Sequence, residues 1–107
     1  MENYVPKEYL ILFDSEAEFK MELRFYVIDK DEIKVIAEHE RAHVEAARSL
    51  GYGAKYGIKH NMYWYQPITH IPTEVPKSDL IKIILAPKEL SLEDIKQLKK
   101  LEWNFKT

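Results

Sequence analysis

Residues 33–50 decide the fold, and they read IKVIAEHERAHVEAARSL. On a helical wheel of about 100° per residue, the charged residues of this stretch share one arc and apolar residues cover most of the rest. The charged arc consists of Lys34, Glu38, Arg41, Glu45 and Arg48. Residues 29–32 have the composition of a capping box, and Gly51 stands where a left-handed residue ends a helix. We therefore predict a helix that runs to about Leu50.

Three polar residues interrupt the apolar side of this helix. His39 and His43 lie inside the apolar arc, and Glu40 lies beside them. Side chains four residues apart are neighbours on one helical face, so both imidazoles can bind a single metal ion. Glu40 would then flank the ion and take a proton from a metal-bound water. This H-E-x-x-H pattern predicts a zinc site, and the alternative is a buried hydrogen-bond network without metal.

The segment before the helix predicts a β-hairpin. The run from Tyr9 to Phe13 is short and apolar, as in a buried strand. Residues 19–27 alternate between apolar and polar side chains, which is the period of a half-buried strand.

The segment after the helix predicts two more strands and a second helix. Residues 55–66 form an extended, aromatic-rich segment, and the prolines at 67, 72 and 76 predict an irregular loop. Leu80 to Leu85 has the pattern of a compact strand, and Ser91 opens a helix of about three turns. The predicted fold class is α+β, in the order β-β-α-β-β-α, with an antiparallel or mixed sheet of about four strands.

Composition limits the function classes. A chain of 107 residues has room for a single globular domain, residues 1–107. It contains no cysteine, which excludes disulfides, thiolate metal ligands and a cysteine nucleophile. The net charge of −2 favours neither a nucleic acid nor a membrane as partner. No stretch is apolar enough to span a bilayer and residues 1–7 do not resemble a signal peptide, so we expect a cytoplasmic protein.

Residues 38–51, EHERAHVEAARSLG, resemble the active-site helix of zincin metallopeptidases. The small residues after His43, followed by a Leu-Gly stop and a strand, are similar to two groups. One is the peptidase domain of membrane-bound ATP-dependent zinc proteases, and the other is the very small archaeal scaffolds called minigluzincins. The resemblance implies that His39 and His43 are zinc ligands, that Glu40 is the general base, and that a Glu or Asp on a later helix is the third ligand. Arg41 departs from the pattern, because a small residue is usual there.

Four residues are candidates for the third ligand. His60 is the first, because the strand that follows Gly53 is expected to run back along the helix. A strand rises about 3.3 Å per residue and a helix about 1.5 Å, so His60 should lie roughly level with the histidine pair. His70 lies in the proline-rich loop, and Asp94 and Glu102 lie on the apolar side of the last helix. The alternatives are an aromatic-core position for His60, a surface position for His70 and a frayed helix end for Glu102.

Two functions follow from these patterns. The first is a zinc-dependent hydrolase, a small metallopeptidase acting on a peptide or protein, active or kept latent by Glu102 or the tail Trp103-Asn104-Phe105. The second is a non-catalytic binding or assembly module, in which the H-E-x-x-H helix is structural or holds an inert metal ion. The aromatic segment 56–65 would then mediate self-association.

Overall fold

The computed structural model describes residues 6–103, so the expectations for residues 1–5 and for Asn104 and Phe105 lie outside the described residues. Seven elements follow one another in the order β-α-α-β-β-α-α. They are β1 (Tyr9–Phe13), α1 (Glu16–Leu23), α2 (Lys30–Ser49), β2 (Lys55–His60), β3 (Tyr65–His70), α3 (Lys77–Ile84) and α4 (Leu92–Lys100).

The sheet has three antiparallel strands in the order β1-β2-β3. Helices α1 and α2 pack against it, α3 packs against α2, and α4 packs against α3. The predicted α+β class and the antiparallel sheet are confirmed. The predicted element order and the fourth strand are wrong, because two segments predicted as strands are helices.

The predicted strand at residues 19–27 is wrong, since most of it belongs to α1 or to the turn that follows. The buried side chains are four residues apart, at Phe19, Leu23 and Val27. Met21 and Phe25, which a strand would also bury, are exposed. Periods of two and of four coincide at these positions, so alternation could not separate strand from helix. The overlooked signal is Ser15, whose Oγ accepts the Glu18 N–H at 3.2 Å and caps the helix.

The predicted strand from Leu80 to Leu85 is also wrong, because these residues lie in α3 and at its C-terminus. Pro76 stands at the N-cap, and its carbonyl accepts the N–H of Leu80 at 2.9 Å. Ile83 and Ile84 are buried while Lys82 between the apolar residues is exposed. A short apolar run of this kind is compatible with either structure until its packing is known.

The aromatic segment at residues 55–66 forms a hairpin, with β2 and β3 joined by a turn. The turn is made by Asn61, whose Oδ1 accepts the N–H groups of Tyr63 and Trp64 at 2.8 and 3.1 Å. Pro67, predicted to begin a loop, lies inside β3. This position is tolerated because β3 is an edge strand, where a missing N–H need not interrupt a ladder.

The long helix predicted from residues 33–50 is confirmed as α2, Lys30–Ser49. Asp29 caps its start through a 2.8 Å bond from the Asp31 N–H to Oδ1, and Gly51 follows its end with φ of 93°. The side chains that it buries recur at steps of three and four: Ile33, Ala37, Glu40, His43, Val44 and Ala47.

Arg41 ties α2 to α1. Its Nε and Nη2 groups both donate to the carboxylate of Glu16, with an Nη2–Oε2 distance of 3.2 Å. A small residue could not make this bidentate contact. The departure from the zincin pattern at this position therefore has a local structural reason.

Candidate metal centre

The H-E-x-x-H residues converge as the helical spacing predicts. One ligand atom from each of His39, Glu40 and His43 lies within 4.8 Å of the others. The Nε2 atoms of the two histidines are 3.3 Å apart. Glu40 and His43 are buried and His39 is half-buried, so the group lies at the inner side of α2 with one edge open. This cluster could hold a metal ion.

The carboxylate of Asp94 on α4 contacts both histidines of α2. Its Oδ2 lies 2.9 Å from Nε2 of His39, and its Oδ1 lies 3.1 Å from Nε2 of His43. Two helices far apart in the chain thus bring two imidazoles and a carboxylate to one point. Of the four residues that the sequence offers as a third ligand, only Asp94 contacts the histidine pair among the described residues.

The carboxylate of Asp94 is held by the start of its own helix. Oγ of Ser91 accepts the Asp94 N–H at 3.1 Å, and Oδ2 of Asp94 accepts the Ser91 N–H at 3.0 Å. This reciprocal pair is a capping box. It satisfies the first turn of α4 and also fixes the direction of the carboxylate toward α2.

His43 is oriented by α3. Its Nδ1 lies 2.8 Å from the carbonyl oxygen of Ile83. A carbonyl can only accept, so Nδ1 carries a proton and donates, and in the neutral ring Nε2 is left with its lone pair facing His39 and Asp94. A ring nitrogen held in this way is the usual arrangement of a metal-binding histidine.

The charges of the group are mutually dependent. Burial disfavours the imidazolium of His43, but its bonds to Asp94 and Ile83 and the nearby Glu40 raise its pKa above the ordinary value. Burial likewise opposes the charge on Asp94, yet its bonds to His43 and to the Ser91 N–H lower its pKa. A positive charge between these atoms therefore stabilises the cluster, and either protons or a metal ion can supply it.

The distances fit one small divalent ion. Ligand atoms bound to a tetrahedral zinc ion at about 2.0–2.1 Å lie roughly 3.3 Å apart. The two Nε2 atoms are 3.3 Å apart, and each lies within 3.1 Å of its own oxygen of the Asp94 carboxylate, Oδ2 for His39 and Oδ1 for His43. Two nitrogens and one carboxylate oxygen also form a donor set that leaves a fourth position open.

Glu40 is held beside the histidine pair by a contact with β3. Oγ1 of Thr69 donates to its Oε1 at 3.2 Å. Burial raises the pKa of Glu40 above the ordinary value, and the charges of His43 and His39 and the bond from Thr69 offset part of that rise. No pattern in the sequence singled out Thr69, because its role depends on the register of β3 against α2.

Two hollows adjoin Glu40. A cavity of about 130 Å³ lies on the His43 side, with Leu80, Ile83 and Ile84 of α3 in its wall. A wider groove of about 390 Å³ lies on the His39 side, with Val35 and Leu90 in its wall. Gln66 and Pro67 of the edge strand β3 border both.

The other candidate residues lie elsewhere. The ring of His60 is 5.5 Å from that of Tyr9 and 5.7 Å from that of Tyr26, at the end of β2. His70 ends β3 opposite Lys55, and Glu102 is exposed beyond α4 with φ of 58°. The structure thus places His60 among aromatic side chains, as in the alternative that the sequence offers for this residue.

Comparison of the chain with protein-family models, with curated proteins and with solved structures finds no match. Within residues 6–103, no helix has the length and apolarity needed to cross a membrane.

Proposed function

We propose that this protein is a zinc-dependent hydrolase and that its substrate is a peptide or a protein. The observation that carries the proposal is the convergence of His39, His43 and Asp94 at 2.9–3.3 Å, with the buried Glu40 beside them. In this proposal the two histidines and Asp94 hold the ion. A bound zinc ion lowers the pKa of a water molecule and polarises a carbonyl group.

Glu40 serves as the general base. Its Oε1 is engaged by Thr69, which leaves Oε2 to accept a proton from the attacking water and to pass it to the leaving amine. The burial that raises its pKa makes its carboxylate a better proton acceptor than an exposed one. His43 stays in the required tautomer because the Ile83 carbonyl holds its Nδ1 proton.

The surroundings favour an extended peptide as substrate. The edge strand β3 borders both hollows next to Glu40, so its free backbone groups can pair with a peptide laid beside it. The cavity on the His43 side, which has both polar and apolar residues in its wall, can receive a side chain of that peptide.

A structural role for the cluster is the second candidate. Among the described residues, no buried side-chain nitrogen or oxygen lacks a hydrogen-bond partner. The His-Asp-His group can therefore be satisfied by protons alone, as the core of a binding or assembly module. Self-association through residues 56–65 stays a prediction of that hypothesis.

Metal content and peptide hydrolysis, measured together, separate the two functions. We expect the Glu40→Gln variant to keep the zinc of the parent protein and to lose at least about a hundredfold in hydrolysis rate. Glu38→Gln is the matched control, because Glu38 lies on the same helix but is exposed and borders neither hollow. Zinc without hydrolysis in the parent would indicate an inert metal site, and absence of zinc would favour the structural cluster.

Latency is tested by truncation. If the C-terminal residues cover the centre, removal of residues 103–107 is expected to release hydrolysis. A truncated protein that still binds zinc and remains inactive would contradict latency.

A further inference from the structure

One end of the molecule presents exposed apolar side chains from two separate connections. The α1–α2 connection carries Phe25 and Ile28, which are 81% and 99% exposed. The β2–β3 turn carries Met62, Tyr63 and Trp64, of which the first two are 73% and 71% exposed. We call these five residues the apolar tip. They share one end because the Tyr26 ring lies between the connections, 5.7 Å from His60 and 5.2 Å from Tyr65.

The apolar tip is presented by ordered backbone. The N–H groups of Tyr26 and Val27 bond to the Leu23 carbonyl at 3.0 and 2.9 Å, while Val27 is buried. Asn61 orders the other turn through its side-chain bonds to two backbone N–H groups. These ordered turns expose large apolar side chains to water, and the stability of the isolated chain does not require that exposure.

Four cationic side chains border a groove that includes Ile28 of the apolar tip. Lys20 and Arg24 are four residues apart at α1, and Lys30 and Lys34 are four residues apart on α2. Together they border a groove of about 660 Å³ whose other wall residues are Val27, Ile28 and Ile33. Lys20 forms an ion pair with Glu16 at 3.8 Å. Among the described residues, the other three cationic side chains form no ion pair.

Among the described residues, no acidic side chain borders this groove, although the exposed Asp31 follows Lys30 on α2. Glu22 lies close to Tyr26 and borders a neighbouring hollow with Arg24 and Phe25, and Glu32 lies near Tyr65. The carboxylate of Asp29 caps α2. The whole chain has a net charge of −2, but the side chains that border this groove carry positive charge. The groove adjoins the exposed apolar groups of the tip.

We infer that this end of the protein docks on the surface of an anionic lipid bilayer. Protruding Phe and Ile side chains gain from contact with lipid, and Tyr and Trp favour the bilayer interface. The lysine and arginine side chains can reach anionic headgroups while their stems cover apolar surface. A bilayer accepts separate protruding groups without a matching pocket, which a protein partner would need. This docking does not depend on the proposed hydrolysis.

Vesicle sedimentation of the full chain tests the inference. We expect it to sediment with vesicles that contain about one third phosphatidylglycerol and to remain free with phosphatidylcholine alone, with binding weakened by salt. Trp64 fluorescence should shift to shorter wavelength on binding. The double variant Phe25→Ser with Ile28→Ser should bind at least about tenfold more weakly. Lys30→Glu with Lys34→Glu should also lose about tenfold.

Two control variants match these changes in exposure and charge. Leu92→Ser alters a side chain that is 78% exposed on α4, and Lys96→Glu with Lys100→Glu alters two exposed lysines four residues apart. Both should bind as the parent does. Binding that is equal in all variants, or absent from anionic vesicles, would overturn the inference. A dimer would also overturn it, if the parent does not sediment with vesicles and the double variant Phe25→Ser with Ile28→Ser is monomeric. A second copy of the chain would then cover the apolar tip.

Discussion

Asp94 is the residue on which the proposed metal centre depends most. His39 and His43 come as a pair from one helix, and the carboxylate of Asp94 contacts both of them from a second helix. The motif identified the histidines and Glu40 because four-residue spacing places side chains together whatever the rest of the fold does. It could not choose Asp94 over His60, since that choice depends on how α4 and the hairpin pack around α2.

Replacement of Asp94 by asparagine should remove the metal site. The amide keeps the size of the side chain and can still accept the Ser91 N–H, but it is a poor zinc ligand. We expect zinc affinity to fall by at least about a hundredfold, measured by competition with a chromophoric chelator. Glu93→Gln, one residue away and exposed, should leave the affinity unchanged. An unaltered affinity in Asp94→Asn would remove Asp94 from the ligand set.

At the scale of elements, helix caps have two separate consequences. Ser91 caps α4 and thereby orients Asp94, while Ser15 caps α1 away from the metal centre. Each serine-to-alanine change should lower the free energy of unfolding by about 1 kcal/mol, measured by urea denaturation. Only Ser91→Ala should also weaken zinc binding, by about tenfold. Equal zinc affinities in the two variants would show that the capping box does not orient the carboxylate.

The identity of α1 as a helix has its own test. Leu23 is buried and Met21 is exposed, whereas a strand at these positions would bury both. Leu23→Ala should therefore cost about 2–5 kcal/mol of stability, and Met21→Ala should cost less than about 0.5 kcal/mol. Chemical denaturation of the two variants measures both values. A large loss in Met21→Ala would favour the strand.

The length of an element decided how well the sequence predicted it. α2 was predicted because its periodic stretch is long and both of its ends carry capping signals. α1 and α3 have eight residues each, too few for period two and period four to be separated. The hairpin was missed because aromatic residues continue through its turn, where Asn61 is the only strong turn former.

At the scale of the whole molecule, the proposed metal centre lies where three packed helices, α2, α3 and α4, meet. α2 supplies the histidines, α3 orients His43, and α4 supplies Asp94. An ion that binds only the folded chain stabilises it by mass action, by about 2.7 kcal/mol when free zinc is a hundredfold above the dissociation constant. We expect zinc to raise the unfolding temperature of the parent but not of His43→Ala, as scanning calorimetry would show.

Elemental analysis of the purified, untagged protein tests most directly whether His39, His43 and Asp94 form one metal centre. We expect one zinc ion per chain in the parent and in Glu40→Gln, and none in His39→Ala or Asp94→Asn. Circular dichroism should confirm that all four proteins are folded. A folded parent without metal, which also binds no zinc on titration, would contradict the assignment of a metal centre.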